Sequence, residues 1–235
     1  MRKLFLSLLL LFMVTAGLHA QTQSQSSGWL FLLNNTKISE KWGMYADVQV
    51  RSADKWANVR NLLIRPGVTY YLNAKNEFTL GYLLNETFIH ADGAPKNTLT
   101  EHRIWEQYLF KHKLGTVSAS HRLRLEQRFI ERNAPDNLFA QRFRYFFRFI
   151  IPLKKEAKNF ERGVFVALQN ELFFNVQHKN ELNGKLFDQN RAYGALGYRF
   201  SKRLDVEAGY MNQSIKGATN NTANNIVQLA LYTKF

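Results

Sequence analysis

The sequence predicts an all-β fold, a transmembrane antiparallel β-barrel of about 10–12 strands with short periplasmic turns and longer outer loops. Three observations predict it. In residues 139–153, Phe139, Phe143, Tyr145, Phe147, Phe149, Ile151 and Leu153 share one parity, while Arg142, Arg144 and Arg148 hold the other. Successive side chains of a strand point to opposite faces, so one face is apolar and the other carries three guanidiniums; a helix would mix them. Neighbouring segments repeat this alternation without a second apolar layer on which a soluble sheet would pack. The links between segments also alternate in length: 73–76, 113–115 and 201–202 are short, and 52–58, 91–98, 131–138, 176–186 and 216–224 are longer.

The chain opens Met1-Arg2-Lys3, runs apolar from Leu4 to Val14 and ends in small residues at Ala16, Gly17 and Ala20. A basic start, a short apolar run and a small-residue exit predict a signal peptide over residues 1–20, cleaved at Ala20-Gln21. The run falls short of the about 20 residues of a transmembrane helix. Residues 21–235 are expected to form one barrel domain, since no repeat or proline-rich linker divides them. Cysteine is absent, which removes disulfides and thiolate metal sites and argues against a lipid anchor. The formal net charge is +14, or +12 once Arg2 and Lys3 leave with the signal. Such an excess often marks nucleic-acid binding. In an exported chain with its arginines spread through alternating strands, it points instead to lipopolysaccharide phosphates, acidic glycans or small anions, and to no nucleic acid.

Taken in order, residues 21–28 are polar and read as a periplasmic leader. Residues 29–35 form the first strand and 41–51 the second, with Trp42, Met44, Ala46, Val48 and Val50 against Tyr45, Asp47, Gln49 and Arg51. In 59–72, Leu62, Ile64, Val68 and Tyr70 oppose Asn61, Arg65, Thr69 and Tyr71. Pro66 removes a ladder donor there and requires a bulge or a locally open pairing. Strand 77–90 sets Phe78, Leu80, Tyr82 and Leu84 against Glu77, Thr79, Gly81, Asn85 and Thr87. Residues 99–112 break the pattern, because Ile104, Tyr108 and Phe110 share parity with His102 and Glu106; a bulge is the expected remedy. In 116–130, Val117, Ala119, Leu123, Leu125 and Phe129 face away from Ser118, Ser120, Arg122, Arg124, Glu126 and Arg128.

After 139–153 come 162–175, with Gln169 and Glu171 inward, and 187–200, with Gln189, Arg191 and Arg199 inward. Strand 203–213 sets Arg203, Asp205 and Glu207 against Leu204, Val206, Ala208 and Tyr210. The last strand, 225–235, places Val227, Leu229, Leu231, Thr233 and Phe235 on one face. Eleven segments result, whereas bacterial barrels are normally even, so ten or twelve strands are expected if both ends are periplasmic.

A final amphipathic strand closing on Phe235 resembles the signal by which the barrel-assembly machinery of Gram-negative outer membranes recognises its clients. This resemblance implies that machinery as a partner, beside outer-membrane lipid and lipopolysaccharide. The stretches GWLFLLNNTKISEKWGMYADVQVR, LLIRPGVTYYLN and FTLGYLL resemble the outer-membrane family catalogued as domain of unknown function 2490. Its members share a Trp strand, a kiS.kW turn, an arginine-ending strand and an R.G..Y.l strand. The resemblance covers nearly all of residues 21–235, implies an outer-membrane barrel and brings no agreed activity.

The inward arginines Arg65, Arg122, Arg124, Arg128, Arg142, Arg144, Arg148, Arg191, Arg199 and Arg203 form the principal constellation. A guanidinium stays charged and binds carboxylate or phosphate in bidentate fashion, so a lumen lined by them attracts anions. Glu77, Glu126, Glu171, Asp205 and Glu207 share the inward faces, and the same residues equally describe a ladder of ion pairs filling a small barrel. Arginine outnumbers acid here, which leaves a positive field.

The favoured function is a non-catalytic, porin-like or structural barrel whose lumen favours anions. The alternatives are a lipid-modifying outer-membrane hydrolase and a barrel that binds glycans through its loops. Hydrolase candidates are Ser118, Ser120, His121, His102, His112 and Glu106, but Ser120 and His121 point to opposite faces and no G-x-S-x-G elbow is present. The six histidines lack zinc-like spacing, and no cofactor is expected. Trp42, Trp105, Tyr82 and Tyr232 are expected in interface girdles.

Overall fold

The computed structural model describes residues 22–90, 97–134, 136–154 and 160–235. The expected signal peptide, 1–20, lies outside the described residues, as does Gln21. Eleven strands close into one barrel: β1 Thr22–Lys37, β2 Trp42–Ser52, β3 Val59–Tyr71, β4 Asn76–Ile89, β5 Asn97–Leu114, β6 Val117–Ile130, β7 Leu138–Pro152, β8 Gly163–Gln177, β9 Phe187–Ser201, β10 Leu204–Ile215 and β11 Asn221–Lys234. Consecutive strands pair antiparallel, and β1 closes on β11 in parallel, from Thr22↔Asn221 to Asn35↔Lys234. The strand number is therefore eleven, the number of segments read from the sequence and within the expected range, and odd where an even count would put both ends on one side. A parallel pair has its own evenly spaced, slanted ladder, so it completes the cylinder without a further strand.

The polar residues 22–28 are not a leader but the first half of β1. They pair with β11 and are held from the other side by the link after β2, which contains a short 3-10 turn at Asp54–Trp56. The Ser26 amide donates to Asp54 Oδ1 at 2.8 Å, and the Trp56 indole covers Gly28 so closely that a Cβ there would lie 2.2 Å from the ring.

Alternation holds along the strands. The outward face is apolar and exposed on every side of the barrel, at Leu30, Met44, Val68, Leu80, Ile104, Leu123, Leu168, Leu196, Val206 and Leu229 among others. β5 carries no bulge: it pairs with β4 and β6 in unbroken register. Glu101, Arg103, Trp105 and Gln107 point inward and are buried, and His102, Ile104 and Glu106 point outward. The outward polar groups are satisfied sideways instead, since His102 Nδ1 meets the Tyr82 hydroxyl at 2.5 Å and Gln127 Nε2 donates to Glu106 at 3.1 Å. Trp105 is consequently no girdle residue. It is fully buried inside the barrel, edge-on to Tyr45, and Tyr232 also faces the interior, whereas Trp42 and Tyr82 are exposed outside.

At Pro66 the β3–β4 ladder opens, as the missing donor requires. Ile64↔Leu84 and Gly67↔Gly81 keep one register, with Arg65 and Pro66 unpaired between them. Gly81 must be a glycine here, because a Cβ would lie 2.2 Å from the Trp105 ring and 2.6 Å from the Pro66 carbonyl oxygen.

One rim of the barrel carries the links 38–41, 72–75, 115–116 and 202–203 together with Phe235; the other carries 53–58, 90–96, 131–137, 178–186 and 216–220 together with Thr22. The widest separation on the first rim is between the end of β7 at Pro152 and the start of β8 at Gly163.

Candidate functional site in the barrel interior

Inward side chains of all eleven strands line a cavity of about 1060 Å³, which reaches the short-link rim at Ala74 and Lys75. Two apolar clusters flank it: Trp29 with Phe165, Tyr193, Met211 and Ile226, and Tyr45 with Leu63, Leu83 and Trp105.

The arginines fall into distinct settings. Glu126 on β6 is fully buried and gathers cations from two neighbouring strands. Arg142 donates to it at 2.7 and 3.0 Å, Arg144 donates to it as well, and Arg103 lies 3.6 Å away. Glu171 on β8 accepts from Arg122 at 2.5 Å and from Arg144 at 2.6 Å. Arg148 reaches Glu207 and also donates to Gln169 at 2.6 Å. Arg128 and Arg103 share Glu101, at 2.6 and 2.7 Å. Arg199 makes a bidentate pair with Asp205, both bonds 2.7 Å, and Lys111 donates to Glu77 at 2.6 Å. Such geometry is what repays the desolvation of buried charge.

Arg65 pairs with Asp47 at 2.6 Å, and Asp47 also accepts from the Tyr45 hydroxyl at 2.6 Å and from Gln49 Nε2 at 2.9 Å. Arg124 has only a distant carboxylate, Glu126 at 4.0 Å; it donates to Gln107 at 2.6 Å and lies over the Trp105 ring at 4.3 Å. Arg203 does not join the interior. β10 begins one residue later, so Arg203 sits exposed in the turn, with its amide donating to Ser201 Oγ at 3.1 Å.

Further charges on the cavity, Lys111 and Lys234 among them, lie outside the expected set. Arg51, Arg103, Asp47 and Glu101 have inward strand parity, which the sequence displays. Asp188 does not. A register shift between Phe173/Phe174 pairs Gln189 and Phe187 with them and leaves Asp188 between, and Arg142 donates to it at 3.1 Å. Among the described residues, Arg51 and Arg191 have no carboxylate within 4.0 Å.

Ser118, Ser120 and His112 are all among the residues lining the cavity. His121 points outward, stacked between His112 and Tyr145 and 2.9 Å from the Tyr145 hydroxyl. No group of three or more metal-ligating side chains occurs among the described residues. At the end of the closing pair, the Phe235 amide donates to the Asn35 carbonyl at 2.9 Å, and its carbonyl accepts from the Lys37 amide at 2.6 Å.

Fold and interior together define a closed all-β barrel whose cavity is lined by arginine–carboxylate pairs. The chain belongs to the DUF2490 family, described as a protein of unknown function, whose model matches residues 26–224. It is similar to an uncharacterized protein of Methylorubrum extorquens strain AM1, 26% identical over 228 residues that cover 95% of this chain and 94% of the relative. No solved structure matches it.

Proposed function

We propose that this chain is a non-catalytic barrel of the outer membrane, exported by its N-terminal segment and assembled from its C-terminal strand, whose basic interior admits small anions. The exposed belt of Leu, Ile, Val and Met supports a lipid setting, since water would be a costly neighbour for so continuous a surface. Turning Arg142, Arg144 and Arg148 toward lipid at mid-bilayer would cost about 2–4 kcal/mol each, and they point inward. The short-link rim, which carries Phe235, is then the periplasmic one.

The observation that carries the anion reading is the surplus of guanidinium over carboxylate around the cavity, at Arg51 and Arg191 above all. Purified protein in planar bilayers under a salt gradient should give a reversal potential on the anion side. Replacing Arg51 and Arg191 by glutamine should move it toward cation preference. Raising salt beyond about 0.15 M, where the Debye length falls below about 8 Å, should weaken the preference. A folded barrel that conducts nothing would mean that the ion-pair network closes the interior, leaving a structural barrel.

A further inference from the structure

Arg51 and Arg191 reach the cavity from β2 and β9, and both stack on Trp29, at 3.9 and 5.1 Å from its ring. Each is tied in the same manner to a carboxylate that a different arginine already holds. Arg51 donates to Gln49 at 2.5 Å, and Gln49 donates to Asp47, the partner of Arg65. Arg191 donates to Gln189 at 3.1 Å, and Gln189 donates at 3.2 Å to Asp188, the partner of Arg142. The amide oxygens take one donor from each guanidinium and neutralise neither. Arg51 Nε is buried with no partner at all. Two cations with unused donors thus face one cavity, and a guanidinium fork is matched by an oxyanion.

The cavity wall beside them also carries apolar groups. From Arg51 along the inward face of β1 toward the short-link rim come Phe31 and Leu33, both on the cavity, with Leu63 nearby on β3. A bare inorganic anion would leave these groups facing water. We infer that Arg51 and Arg191 form a binding site for a small organic carboxylate, its head on the two guanidiniums and its apolar body along Phe31 and Leu33. The site deepens the reading of the interior as an anion-admitting space and rests on it.

The test is titration of the purified, folded barrel in non-ionic detergent at fixed ionic strength, by calorimetry and by the fluorescence of Trp29 in a chain whose other tryptophans are phenylalanine. The probes are hexanoate, acetate and inorganic phosphate. Hexanoate should saturate at one site and bind at least about tenfold tighter than acetate or phosphate, the gain from burying part of its chain. R51Q/R191Q should lose hexanoate by about tenfold or more, and F31A/L33A should bring hexanoate down to the level of acetate while leaving acetate unchanged; calorimetry alone reads any chain in which the tryptophan replacements impair folding. Phosphate equal to hexanoate, or no saturable binding by a protein whose circular dichroism shows the folded β-barrel, overturns the proposal. Anion-selective conductance without saturable binding would sink the site and leave the transport reading standing; saturable binding without conductance would do the reverse.

Discussion

The wall formed by β6, β7 and β8 and the wall where β9 faces β1 and β2 both present arginines to one cavity, in opposite circumstances. On the first, Arg142, Arg144 and Arg122 converge on two carboxylates, Glu126 and Glu171. On the second, Arg51 and Arg191 have glutamine oxygens and aromatic faces, Trp29 for both and Phe173 as well for Arg191. A guanidinium whose donors are consumed by carboxylates fixes neighbouring strands to one another; one whose donors are left over is available to solutes. The same residue type therefore ties strands together on one side of the cavity and keeps donors unused on the other.

Substitutions can break this contrast or sharpen it. The largest effect is expected from Glu126→Gln, which leaves several cations around a neutral, fully buried amide. Removing one member of a buried ionic set costs about 3–5 kcal/mol, read as a lower midpoint of urea unfolding followed by circular dichroism. Next is Arg148→Gln, expected to cost about 3 kcal/mol because Glu207, one of whose oxygens is already buried without a partner, loses its cation. Arg51→Gln and Arg191→Gln should each stay within about 1 kcal/mol of the parent by the same assay, since neither strands a carboxylate. Should either cost as much as Glu126→Gln, the division between the two walls would disappear. Smallest of all, Arg203→Gln in its exposed turn should change stability by less than about 0.5 kcal/mol and leave the reversal potential as it was.

Strand parity made most of this architecture legible in the sequence. Where apolar and charged residues alternate strictly, as in β6 and β7, the inward set reads off directly, and the structure places those residues inside. The reading failed where an outward position is polar. The parity of His102 and Glu106 calls for a bulge, whereas lateral hydrogen bonds to Tyr82 and Gln127 let them stay outside on a regular strand. It failed too at residues 22–28, whose polar composition hides a strand that needs no apolar face because it pairs with β11 and lies under Trp56. Asp188 was beyond reach because a register shift overrides parity. The distinction between the two kinds of arginine was equally hidden, since it depends on which strands lie across the barrel and not on the spacing within any one of them.

The odd strand number reaches beyond the barrel wall. A chain that crosses a layer eleven times finishes on the side opposite to the one where it began, so Thr22 and Phe235 sit at opposite mouths. In the membrane setting proposed above, an even barrel would hide both ends from the cell's surroundings; this one presents the beginning of β1 there and keeps Phe235 within. An epitope inserted just before Thr22 should accordingly be reached by antibody on intact cells, while one inserted after Lys216 marks the same surface and one appended to Phe235 stays silent until the envelope is opened.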